Sequence, residues 1–139
     1  MTGVDAEILR DKHPEYIEEL VEFDAEKAFK VLEKYAIIAR EGRKGKKSQL
    51  FIFIEECNMA RLDQNRYEKL ISEINLFAES ANMKLLYSTS VITSQTTSRQ
   101  LREAFDVALI GRQADSKTRL YLGVPDTDDF PEHSFIVAQ

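Results

Sequence analysis

The chain has 139 residues, 43% apolar and 31% charged, with a net charge of −5 and few glycines or prolines. This is enough chain for one domain with a real core, and too little glycine and proline for a fibrous or low-complexity protein. The acidic balance excludes binding of polyanions over the whole surface, so contact with nucleic acid would need a local basic patch.

One cysteine, Cys57, excludes an internal disulfide and suits a reducing compartment. The amino terminus is polar and acidic without an apolar signal core, and no stretch approaches membrane-spanning length. The expectation is a cytoplasmic protein with a single α/β domain over 1–139, in which 1–23 is a lead-in. Asp5 can cap a short helix through Lys12, which Pro14 then breaks. Ile17, Leu20, Val21 and Phe23 form a short apolar patch that fits either a helical turn or a strand end.

Asp24 suits the N-cap of the next element, with Lys27 where a capping box would carry Glu. Ala28, Val31, Leu32, Tyr35, Ala36, Ile38 and Ala39 recur at helical steps, predicting an amphipathic helix over Ala25 to Arg40. Glu26, Lys30, Glu33 and Lys34 make its charged face, read as a solvated surface. Gly42 ends the helix.

Arg43-Lys44-Gly45-Lys46-Lys47-Ser48 follows, four basic residues in a glycine-containing loop. It is not a phosphate-binding P-loop of the form G-x-x-x-x-G-K-[ST]. Lys47 stands where Ser or Thr is needed, Arg40 stands where the first Gly is needed, and the loop follows a helix instead of a strand. Two readings stand: a loop touching nucleic-acid phosphates through Arg43, Lys44, Lys46 and Lys47, or a solvated turn.

Leu50 to Ile54 is an unbroken apolar run ending on Glu55-Glu56. The run predicts a strand buried on both faces, as in the centre of a parallel sheet. Its two acids fall where open α/β sheets bind ligands. In nucleotide hydrolases such a pair orients the magnesium water shell and polarises the attacking water; otherwise the strand simply ends on two solvated acids.

Asp63 caps a long helix carrying Tyr67, Leu70, Ile71, Ile74, Phe77, Ala78 and Ala81 inward, and Asn82 suits a left-handed cap. Leu85 to Ser90 reads as a short strand with a hydroxyl-rich carboxyl end. Ser98 caps a short helix from Arg99 to Phe105, Val107 to Gly111 reads as a buried strand, and Thr118 to Leu122 as a strand open on one side. Phe135-Ile136-Val137 is a final short strand. His13 and His133 lack metal-ligand company. Helices alternating with apolar strands predict an α/β fold, a mostly parallel sheet flanked by helices with an antiparallel edge near the C-terminus.

From Asp24 onward this order of elements resembles the motor domain of the FtsK/SpoIIIE family, within the FtsK–HerA group of P-loop ATPases. Phe51 to Glu56 is similar to the Walker B strand, with Glu55 in the family's Asp position and Glu56 in its catalytic Glu position. Glu73 to Met83 resembles the helix before the sensor strand, and Ser88, Thr89 and Ser90 stand where the family has Ala-Thr-Gln. Asp115, Ser116, Lys117 and Thr118 resemble the Asp-Ser-Arg-Thr motif near a subunit boundary. The resemblance covers roughly residues 20–125 and implies a partial RecA-like core, Mg-ATP as the cofactor of a complete motor, double-stranded DNA as substrate and a homo-oligomer. The basic loop would track phosphates in its pore, and Arg112 or Arg119 would face a neighbour's nucleotide.

Several departures accompany it. Walker A is absent, Glu55 replaces Asp, Ser90 replaces Gln, and Ala108 falls where many members carry Arg. The P-loop amides and lysine supply most of a phosphate cradle. This chain alone is therefore expected to bind no nucleotide cofactor and to hydrolyse no ATP, with Glu55 holding magnesium only weakly. The degenerate ATPase modules of type VII secretion proteins show similar erosion. Two alternatives therefore stand beside a DNA translocase or conjugative-transfer ATPase. One is a structural module with a protein substrate in a secretion machine. The other is a metal-dependent hydrolase or nuclease using Glu55 and Glu56, with Asp106 and Asp115 as further acids.

Overall fold

A computed structural model describes residues 3–21, 24–55, 62–88, 98–111 and 135–138. Eight helices and strands lie within them. They are α1 (Gly3–Lys12), α2 (Ala25–Glu41), β1 (Leu50–Glu55), α3 (Gln64–Ala78), β2 (Met83–Ser88), α4 (Arg99–Glu103), β3 (Ala108–Gly111) and β4 (Phe135–Ala138). The fold is mixed α/β, with a small two-stranded parallel sheet flanked by helices. Among the described residues, no helix is long and apolar enough to cross a membrane.

The helix boundaries follow local chemistry. Asp24 accepts a hydrogen bond from the Lys27 amide at 2.9 Å, Asp63 from the Arg66 amide at 3.0 Å and Ser98 from the Leu101 amide at 3.1 Å. Each satisfies one amide that the first helical turn leaves without a partner. Gly42, at φ +81°, closes α2 with its amide bonded to the Ile38 carbonyl at 2.9 Å. Asp5 lies inside α1 and is not its cap. The helix starts at Gly3, three residues before the Ala6 that a cap at Asp5 implies, and Pro14 opens a single 3-10 turn, Pro14–Tyr16. α4 stops at Glu103, two residues short of the expected end.

The core is the seam where α2 meets α3. Phe29, Leu32, Tyr35, Ala36 and Ala39 from α2 are buried with Tyr67, Leu70, Ile71, Ile74 and Ala78 from α3. Fully burying one such large apolar side chain contributes about 1.5–3 kcal/mol, so this seam is the main source of stability. Phe29, absent from the expected inward set, lies beneath the Arg66 guanidinium, which stacks 4.3 Å from its ring centroid. Arg66 also reaches Glu33 at 2.8 Å and Glu26 at 3.4 Å. Part of α2's charged face is thus tied to α3 and is more than a wet surface.

β1 and β2 pair in parallel, with Leu50 opposite Met83, Ile52 opposite Leu85 and Ile54 opposite Tyr87. These six side chains face the helices. The opposite face carries Phe51, Phe53 and Leu86, which remain 57%, 45% and 47% exposed. The expectation of a strand buried on both faces is therefore corrected. An apolar run has no alternation of its own, and the helices cover one face only. β2 also begins at Met83, two residues before the expected start.

β3 and β4 form a separate antiparallel pair, Leu109 opposite Val137, with no described strand joining them to the parallel sheet. Val107 and Leu109 are 50% and 68% exposed, so the expected burial is not met at these two positions. The expected strand at Thr118 to Leu122 lies outside the described residues.

Candidate functional site

Those residues proposed from sequence that fall among the described residues divide between the two ends of the parallel sheet. At the amino end lies the loop from Gly42 to Gln49, which leads from α2 into β1. Arg43 does not point away with its neighbours. Its guanidinium donates to the Ser48 carbonyl at 2.8 Å and to the Asn82 carbonyl at 3.2 Å, spanning the loop and bridging to the turn before β2. Asn82 is the other half of this anchor. It sits in the left-handed region at φ +54°, where an Asn is better tolerated than most residues. Its carbonyl accepts from the Leu50 amide at 3.0 Å, and its side-chain amide donates to the Lys47 carbonyl at 3.1 Å. The loop backbone is therefore held at both ends, while Lys44, Lys46 and Lys47 project from it and are exposed.

Sequence reasoning placed Asn82 only as a helix cap. It also assigned nothing to Glu18 and Glu19, which the fold brings to this end. Lys34 donates to Glu19 at 2.8 Å, the Tyr35 hydroxyl donates to Glu18 at 3.2 Å, and the Lys46 ammonium lies 4.0 Å from Glu18. The hydrogen bond from Lys34 holds the Glu19 carboxyl below its ordinary value, against a smaller opposing effect of burial. Burial, followed by the neighbouring Glu19 and Glu18 carboxylates, pushes the Tyr35 phenol up. No sequence pattern flags the Glu18 contacts, because lead-in and loop meet only through the fold. An open cleft of about 180 Å³ lies here, lined by Glu18, Tyr35, Arg43, Lys44 and Lys46 among others.

At the carboxyl end of the sheet, Glu55 stands directly opposite Ser88 in the parallel register. Their partly buried side chains share the edge that sequence reasoning assigned to nucleotide or metal. Glu56, Thr89 and Ser90 lie outside the described residues, as do Arg112, Asp115, Ser116, Lys117 and Arg119. The two ends are separated by the length of β1, about 16 Å at the usual strand rise. The lysine loop and the Glu55 edge therefore cannot share one small ligand.

The basic loop is not arranged as a cradle for nucleotide phosphates. The glycine-containing loop runs from helix to strand, the reverse of a phosphate cradle, and two of its amides are already bonded. Gly42 donates to Ile38 and Lys46 to the Arg43 carbonyl at 3.2 Å. Among the described residues, no three His, Cys, Asp or Glu side chains gather as a metal site. No protein-family model, no curated protein and no solved structure matches this chain.

Proposed function

We propose that this chain is a nucleic-acid-binding part or relative of an FtsK/SpoIIIE-like translocase core, with a Walker B-like strand but no P-loop. One arrangement carries the reading. The parallel pair β1–β2, joined through α3, sets Glu55 beside Ser88 at one end and an anchored loop of three exposed lysines at the other. Parallel strands with a helical crossover, the Glu55 carboxylate at the carboxyl edge and cations at the opposite end support a partial RecA-like core that separates its nucleotide edge from its polymer contact. Lys44, Lys46 and Lys47 are the phosphate contacts, and Arg43 is the residue that holds their loop. ATP hydrolysis belongs to a complete motor that supplies the phosphate cradle.

Titration of a fluorescent DNA duplex, followed by anisotropy at about 50 and 200 mM salt, tests the reading. Binding should weaken steeply with salt. Lys44→Ala/Lys46→Ala/Lys47→Ala should lose roughly tenfold or more in affinity and reduce the salt slope by about 2 to 3. Equal affinity and slope in the triple variant would remove the loop from the function.

The exposed apolar face of Phe51, Phe53 and Leu86 favours a second reading, a structural module that docks on another protein. Under that reading DNA is not bound and Phe51→Ser/Phe53→Ser abolishes assembly. Under the first, the same variant binds DNA as the parent does.

A further inference from the structure

The lead-in meets the loop with opposite charge. Glu18 lies 4.0 Å from Lys46 and accepts from Tyr35, while Glu19 is held by Lys34 one step along the same helix surface. Glu18 also forms one wall of the open cleft whose other polar walls include Arg43, Lys44 and Lys46. A phosphate held by Lys44 and Lys46 in that cleft would lie beside this carboxylate. A phosphodiester and the Glu18 carboxylate are both anions and want the same ammonium groups, so they exclude one another there.

We propose that the acidic lead-in turn bearing Glu18 and Glu19 is an internal competitor for the basic loop, docked over Lys46 in the unliganded protein and displaced by nucleic-acid phosphate. The inference rests on the nucleic-acid reading of the loop and adds its regulation. The contact is partly exposed: the Lys46 and Glu18 side chains are 63% and 51% accessible. Exposed ion pairs of this kind are weak and salt-screened. The competitor is therefore easily displaced, and it discriminates against short or sparsely charged ligands more than against a polymer that presents many phosphates.

Two readouts on the full chain test this. The first is the rate at which a water-soluble acetylating reagent modifies each lysine, followed by mass spectrometry. Glu18→Gln/Glu19→Gln should raise the rates at Lys34 and Lys46 by about twofold to fivefold, the range expected for loss of an exposed pair, and leave Lys69 unchanged. The second is affinity for the DNA duplex. The same variant should bind roughly threefold to tenfold tighter at about 50 mM salt, with the gain shrinking as salt rises. Glu7→Gln/Asp106→Asn removes equal charge from exposed acids elsewhere and should give a clearly smaller gain.

Unchanged lysine reactivity overturns the docking. Altered reactivity with DNA affinity no better than that of the Glu7/Asp106 control overturns the competition while leaving DNA binding intact. If no variant binds DNA, the nucleic-acid reading falls and the competition falls with it.

Discussion

Arg43 and Asn82 are 39 residues apart, yet the Arg43 guanidinium donates to the Asn82 carbonyl at 3.2 Å. That contact ties the loop before β1 to the turn before β2 and starts the two strands in register. Arg43→Ala should lower stability by about 1.5–3 kcal/mol, the usual range for a hydrogen bond from a charged group, read as a lower urea midpoint with unchanged m. Arg43→Lys should recover only part, because both bonds come from Nη1 at the tip of the guanidinium, which the shorter lysine side chain reaches less well. In DNA titrations Arg43→Ala should change the salt slope less than Lys44→Ala does. The reverse order would return Arg43 to the phosphate contacts.

Asn82 combines a left-handed backbone with hydrogen bonds from both main chain and side chain. Asn82→Ala should cost roughly 1–3 kcal/mol, from a strained φ and a lost bond to Lys47. Asn82→Gly relieves the strain and loses only the side-chain bond, so it should fall between Ala and the parent. Thermal melts of the three proteins check the order.

The α2–α3 seam and the exposed face of the parallel sheet should respond differently to truncation. Ile74→Ala, at a fully buried position of α3, should cost about 2–5 kcal/mol by opening a cavity in the core. Phe53→Ser, on the exposed face, should stay within about 0.5 kcal/mol. A large loss at Phe53 would mean that its ring is covered in solution.

Two titrations bracket the lead-in contact. The hydrogen bond from Lys34 places the folded-state Glu19 carboxyl below its ordinary 4.5. Its contribution is therefore complete at higher pH and is lost as pH falls below about 4.5, through the folded-state value. For Tyr35, burial and the Glu19 and Glu18 carboxylates raise the phenol above its ordinary 10.0. The folded chain holds that proton more tightly, so stability should decline as pH rises past about 10. Urea midpoints against pH should show both limbs. Glu19→Gln should flatten the acid limb and Tyr35→Phe the alkaline one.

Much of the secondary structure could be read locally. Asp24, Asp63 and Ser98 are caps whose chemistry acts within three residues, and the inward positions of α2 and α3 repeat at the helical period. Such signals need no knowledge of the rest of the chain. The strand at Leu50 to Glu55 was equally legible as a strand, but its exposure was not. Which face of an all-apolar run is covered depends on where α2 and α3 pack.

The candidate site divides in the same way. Sequence alone determined the basic loop, the acid-terminated strand and the lack of a glycine cradle before a helix, because each is a matter of residue type and order. Only the tertiary structure decided that Arg43 binds its own backbone and Asn82, that Glu18 sits against the loop while Glu19 is held by Lys34, and that the lysines and Glu55 occupy opposite ends of the sheet. Each of these relations joins residues distant in sequence or sets the length of a strand between two groups. They come into being only when the helices bury their shared seam and the strands pair.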